Sequence, residues 1–261
     1  MSSPPLPPEI LDYIIDILRG EPRTLRSCCL VAKSWIPRAR KHLFACVKFH
    51  SLKDLQSWKR TFPELSNSPA HHTRILSVNC FKVVEATDAA EEGWIPAFPR
   101  VECLELKTFL TSFRTLSLSP FRQFSPTIKS LRVDALVLPC SRILNLASSF
   151  PLLEDLSFVC YTLSSNSDCY THASWPVAPL ISPPFTGSLK LKPLRGLCIA
   201  ARRLLDPPNR LRFRDIELSW HDEEDLRWTR ELVLACRDTL KFLALTCLPS
   251  STYWFLSVAR N

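Results

Sequence analysis

Eleven cysteines, the pair His71-His72, His172, His221 and the acidic run Asp222 to Asp225 are the side chains that could bind a metal or do nucleophilic and acid–base work. A structural zinc site draws on four ligands, usually as two close pairs, whereas here no C-x-x-C occurs and only Cys28 and Cys29 adjoin. The cysteines therefore read as reduced thiols filling core space. The histidines accompany no nucleophile motif, and Asp222 to Asp225 reads as a helix start rather than a metal site. With four glycines and no G-x-G-x-x-G, G-x-x-x-x-G-K-[ST] or G-x-S-x-G, no loop is suited to cradle a phosphoryl cofactor or expose a serine nucleophile. The expectation is a chain that is not an enzyme, with no catalytic residue, no metal and no cofactor.

Function must then lie in binding, and charge and apolar surplus say where. The 261 residues, 46% of them apolar, suffice for a buried core in one or two domains. No apolar run approaches the roughly 20 residues of a membrane span, and Met1 to Pro8 lacks the regions of a signal peptide. An intracellular place, cytoplasmic or nuclear, is expected, with no membrane partner. Residues 1–60 hold 11 Lys+Arg against 5 Asp+Glu, so they carry +6 of the net +8. Arg38, Arg40, Lys41, Lys48, Lys53, Lys59 and Arg60 supply most of it. Basic residues interleaved with exposed aromatics, which a nucleic-acid reader needs, are not evident, so no specific nucleic-acid binding is expected. A face that meets an acidic partner is the sharper reading of this charge, and a solvated helix face the plainer one.

The elements that position these residues begin with three short helices. Leu6 to Leu18 has Pro8 near its start, Glu9 in its first turn and Arg19-Gly20 at its end, which are helix-boundary signals. Its apolar residues Ile10, Leu11, Ile14, Ile15, Ile17 and Leu18 exceed the single stripe that a surface helix buries. A second helix starts at Pro22 and carries Leu25, Cys28, Cys29 and Ala32. A third, with Ser34 as its predicted cap and Pro37 in its first turn, carries Trp35, Ala39, Leu43 and Phe44. A unit of about 40 residues cannot bury this much apolar surface alone, so a following domain or another protein must cover the surplus.

The order LPPEIL, a Leu25 helix, CLVAKSW (Cys29 to Trp35) and HLF (His42 to Phe44) resembles the F-box, over residues 5–47. The resemblance implies docking on a Skp-family adaptor, and through it assembly with cullin and RING subunits. By position it assigns adaptor contact to Leu6, Pro7, Ile10, Ile14, Leu30, Val31, Trp35 and Leu43. For Leu30, Trp35 and Leu43 a place in the unit's own core is the competing reading. Family adaptors are acidic, which matches the local +6.

Residues 70–248 read as an irregular array. The pattern Φ-x-x-L-x-Φ, where Φ is apolar, fits VECLEL, IKSLRV, LEDLSF, LRGLCI, FRDIEL and LKFLAL, and TRILSV from its fourth position. The anchors Leu76, Leu104, Leu131, Leu156, Leu197, Ile216 and Leu243 lie 28, 27, 25, 41, 19 and 27 residues apart. Each match reads as a strand with alternate side chains inward, and helical spacing appears between them, as in Ile143, Leu146, Ala147 and Phe150. A fold of the α+β or α/β solenoid type is expected, resembling the divergent leucine-rich-repeat domain that often follows an F-box. Residues 48–69 read as a linker helix capped by Ser51 with Asp54. The Ser- and Pro-rich residues 161–188 read as an excursion loop, with a small strand at Leu189 to Leu191. Residues 249–261 read as a tail that looks truncated, because Tyr253, Trp254 and Phe255 stand where a polar cap is expected.

The resemblance implies the substrate-recognition subunit of an SCF-type ubiquitin ligase, binding an unknown protein substrate by the array. The outward positions Glu105, Arg132, Ser157 and Glu217 are the candidate substrate contacts. A non-degradative, adaptor-linked scaffold and a basic nucleic-acid binder are the alternatives.

Overall fold

The structure is a computed structural model and describes residues 7–64, 68–79, 98–108, 118–135, 140–160, 185–193, 197–205, 211–220 and 222–247. Three helices come first: α1 (Pro8–Ile17), α2 (Pro22–Val31) and α3 (Ile36–Leu43). A proline stands at N1 or N2 of each, where a missing N–H costs nothing. Ser34 does not cap α3; Lys33–Trp35 wind into a 3-10 turn that runs directly into the helix. Likewise α1 ends by tightening into the 3-10 turn Leu18–Gly20, with no left-handed glycine. These helices enclose a small core of Ile15, Leu25, Cys28 and Ala39, with Leu18, Cys29, Trp35 and Leu43 packed against it.

A single sheet of eight parallel strands follows: β1 (Cys46–Phe49), β2 (Ile75–Asn79), β3 (Cys103–Thr108), β4 (Ser130–Ala135), β5 (Asp155–Cys160), β6 (Ser188–Pro193), β7 (Asp215–Trp220) and β8 (Phe242–Cys247). Strand order equals chain order, so among the described residues there is no reversal point. Parallel neighbours need crossovers, and crossovers of one hand between strands added always on the same side all run over the same face. Helices α4 (Leu52–Thr61), α5 (Cys140–Ala147), α6 (Leu197–Leu205) and α7 (Glu223–Ala235) lie on these connections. Ser51 caps α4, its hydroxyl accepting from the Asp54 N–H while the Asp54 carboxylate accepts from the Ser51 N–H at 3.0 Å.

The core is one continuous cluster along the inward side of the sheet. Leu76, Leu104, Leu131, Leu156, Leu189 and Ile216 occupy one register row, all at most 1% exposed. Val47 begins that row, because the chain enters the sheet at Cys46, two residues before the expected linker starts. Leu197 is not on it. LRGLCI, expected as a strand, contributes Leu197 to α6, and the strand at this point is SLKLKP with Leu189 as anchor. The expected 41 and 19 residue spacings thereby become 33 (Leu156 to Leu189) and 27 (Leu189 to Ile216). The chain re-enters the sheet at Phe185, whose φ of 40° is left-handed and strained for a phenylalanine. Its ring is buried 5.2 Å from Phe213, which holds the backbone in place. At the far edge, Phe242, Leu243 and Leu245 of β8 are exposed, as is Cys247, which the sequence places in the core. Leu6, the bulk of the expected excursion loop (161–184) and the tail 249–261 lie outside the described residues.

Candidate functional site

Helix α1 is apolar on two sides. Ile15 faces the small core at 1% exposure, while Ile10, Tyr13, Ile14 and Ile17, spaced three and four apart, share the other side at 38–66%. Helix α2 ends in Leu30 and Val31, 89% and 66% exposed. These six make up half of the twelve exposed large hydrophobics among the described residues, concentrated within 22 residues (Ile10 to Val31). Single exposed apolar residues are ordinary, but a helix wet along a whole apolar stripe is not. Of the expected adaptor contacts, Pro7, Ile10, Ile14, Leu30 and Val31 are exposed, whereas Trp35 and Leu43 are half-buried against the small core. Tyr13 and Ile17 belong to the exposed stripe but were not in the expected set. The i, i+3, i+4, i+7 spacing from Ile10 is the signal that would have added them.

This stripe is presented by a polar clasp. The Asp16 carboxylate of α1 accepts from Arg38 Nε at 2.6 Å and from a second Arg38 nitrogen, and it lies 2.7 Å from His42 Nε2, so one carboxylate ties α1 to α3. The hydrogen bonds from Arg38 and then His42 hold the Asp16 carboxyl well below the usual carboxylate range. A depressed folded pKa contributes stability that is present above the unfolded value of 3.8 and is lost as pH falls below it toward the folded value. Asp16→Asn should therefore remove part of the acid-dependent slope of unfolding below about pH 4. Equal slopes in urea titrations of the two proteins would discard the clasp.

The outward side of the sheet carries a second set. Register aligns Lys48, Ser77, Glu105, Arg132, Ser157, Lys190, Glu217 and Ala244 in one row across all eight strands. All four expected substrate contacts, Glu105, Arg132, Ser157 and Glu217, lie on it. Arg132 Nη1 sits 3.2 Å from Glu105 Oε1, and Glu217 lies between Lys190 Nζ at 2.7 Å and Lys192 Nζ at 2.5 Å. Hydrogen bonds from those lysines lower the Glu217 pKa. Lys190 and Lys192 are not among the expected contacts, because the repeat pattern places the anchor at Leu197 and leaves Leu189 to Leu191 as a minor strand. One row further along the strands, Asp134 keeps Oδ1 buried with no partner among the described residues.

The chemistry-bearing side chains have structural places. Asp222 caps α7 by accepting the Asp225 N–H at 2.8 Å. Burial pushes the Cys103 and Cys236 thiols up, away from the reactive thiolate. Among the described residues no three of His, Cys, Asp and Glu are placed to hold a metal ion, and no helix is long and apolar enough to cross a membrane. His172 and His221 lie outside the described residues. Set against known proteins, the chain matches no family profile, no curated protein and no solved structure.

Proposed function

We propose that this chain is the substrate-recognition subunit of an SCF-type ubiquitin ligase, docking on a Skp-family adaptor through an F-box and holding a protein substrate on a leucine-rich-repeat-like array. The observation that carries the reading is the wet apolar stripe of α1, together with Leu30 and Val31, on a unit that already has its own core. A three-helix unit with surplus apolar surface calls for a protein cover, and the basic charge around it suits an acidic one. The regular sheet supports the second half. Eight strands in chain order set one register row across the side of the sheet turned away from the core leucines, and that row carries mixed charge that can discriminate partners without touching the core. The reading assigns no catalytic step to this chain; ubiquitin transfer belongs to the assembled complex.

Reconstitution tests it. The chain, a Skp-family adaptor, cullin and RING subunits should form one complex that modifies proteins captured from the native cell with proteasome activity blocked. Absence of any adaptor complex rejects the reading, and a complex that captures proteins without modifying them replaces it with a non-degradative scaffold.

The row on the open face makes a separate prediction. Exchanging the charges of Glu105 and Arg132 should alter the captured set while shifting stability by no more than about 1 kcal/mol, because Arg132 is exposed and the half-buried Glu105 keeps an oppositely charged partner in the exchange. A captured set unchanged by that exchange and by deletion of 161–184 would move recognition off this face.

A further inference from the structure

A groove of about 500 Å³ lies where the three-helix unit meets the N-terminal lip of the sheet. Backbone register builds the lip. Arg74 N–H donates to Ala45 O at 2.9 Å, Glu102 N–H to Arg74 O at 2.8 Å, and Lys129 N–H to Glu102 O at 2.8 Å, so Arg74, Glu102 and Lys129 stand in line just ahead of β2, β3 and β4. Neighbouring strands are about 4.8 Å apart, which sets the spacing of these side chains. Lys41 of α3, Arg19 beyond α1 and Arg100 ahead of β3 also line the groove.

The charge is one-sided. Glu102 is its one carboxylate and already meets Arg74 at 3.2 Å, and among the described residues no ion pair engages Arg19, Lys41, Arg100 or Lys129. His72 lines the same groove. Burial first, then the charges of His71, Arg40, Arg100 and Lys41, push its pKa down. His42 also lines the groove, but its Nε2 is engaged by Asp16. The size is that of a small-ligand site. Pro99, Pro126 and Leu152 supply apolar lining, and among the described residues the aromatic rings on the groove are the imidazoles of His42, His71 and His72, with no Phe, Tyr or Trp to form a stacking platform for bases.

We propose that this groove binds a compact ligand carrying two or more clustered phosphate groups, held by Arg19, Lys41, Arg100 and Lys129. Four cations that pair with no carboxylate among the described residues call, in this volume, for more than two negative charges. A phosphate brings close to two where a carboxylate brings one, and guanidinium groups match its oxygens as paired donors. The phosphates can be free or borne on a segment of a partner protein, and the groove chemistry is the same for both.

Calorimetry on the full chain tests this with inorganic tripolyphosphate, a doubly phosphorylated peptide, citrate and a short DNA duplex. Tripolyphosphate or the phosphopeptide should bind at physiological salt, and Arg100→Glu with Lys129→Glu should weaken that binding by about tenfold or more, with the unliganded melting temperature unchanged because both side chains are exposed. Tighter binding of the peptide makes the phosphates partner-borne, and tighter binding of tripolyphosphate makes them free. Binding that the double variant leaves undiminished, citrate or duplex DNA matching the phosphate ligands, or no heat from either phosphate ligand overturns the proposal. Leu30→Asp with Val31→Asp should leave this binding intact, which separates it from the adaptor reading.

Discussion

Leu30→Asp together with Val31→Asp is expected to abolish capture of a Skp-family adaptor. Both side chains are largely exposed at the end of α2, so the substitutions open no cavity and bury no charge in the free chain. Fully covering a Leu or Val contributes about 1.5–3 kcal/mol each, and placing two carboxylates against an apolar, acidic partner adds desolvation and repulsion. Together this exceeds about 3 kcal/mol, more than a hundredfold in affinity. Ile14→Asp should act in the same direction from α1, whereas Trp35→Ala should lower stability as well as binding, since Trp35 packs against Ile15, Leu25, Cys28 and Ala39. The measurement is adaptor titration by calorimetry, with circular dichroism to establish that α1 to α3 persist. A folded double variant that binds the adaptor as well as the unaltered chain sinks the F-box reading.

The contrast between Leu30 and Trp35 marks how far the sequence could be read. A surplus of apolar residues on Leu6 to Leu18 is visible without coordinates, because seven Leu and Ile positions in 13 residues cannot share one stripe. Which side faces inward is not visible, since Ile15 and Ile14 differ only in how α3 lies against them. The sheet was legible where a strand repeats a long apolar alternation, as at Leu104 and Leu106 or Leu131 and Val133. It failed at LRGLCI because Leu197, with Ala200, Ala201 and Leu204 beyond it, also satisfies helical spacing, and six residues do not separate the two periods. The true strand, SLKLKP, shows in the sequence only as the small strand Leu189 to Leu191, because alternating lysines and a terminal proline shorten its apolar signal. Cys46–Phe49 is shorter still, with only Val47 and Phe49 to signal it. The groove at the lip was not legible at all. It gathers Arg19, Lys41, Arg100 and Lys129 from four separate segments, and only the register brings them together.

That register has one tightly constrained point, and it yields the second large expected effect: Gly187→Ala should destabilise the chain by about 2–3 kcal/mol. Gly187 joins the re-entry at Phe185 to β6, its N–H donating to Glu154 O at 3.1 Å and its carbonyl accepting from Arg214 N–H at 2.8 Å. A Cβ there would lie 2.2 Å from Asp155 Oδ1 and 3.1 Å from the Glu154 carbonyl carbon. The requirement is steric, since the φ of this glycine is not left-handed. Asp155 is tied to Ser188 where it stands. Its Oδ1 accepts both the Ser188 N–H at 2.6 Å and the Ser188 hydroxyl at 2.9 Å, so turning aside strands a partly buried amide at a cost of about 1–3 kcal/mol. If Asp155 stays, the backbone must part from β5 instead, and the row that carries Lys190 and Glu217 shifts with it. The cause can be isolated with a double-mutant cycle. In an Asp155→Ala background the obstructing oxygen is already gone, so Gly187→Ala should cost at least about 1 kcal/mol less than in the unaltered chain. Gly20→Ala serves as the control, because nothing lies within 4 Å of its Cβ position, and it should be neutral or slightly stabilising. Urea unfolding midpoints at constant slope provide all four values. Equal costs for Gly187→Ala in the two backgrounds would falsify the steric account and leave the strain at Phe185 as the feature that governs how β6 joins the sheet.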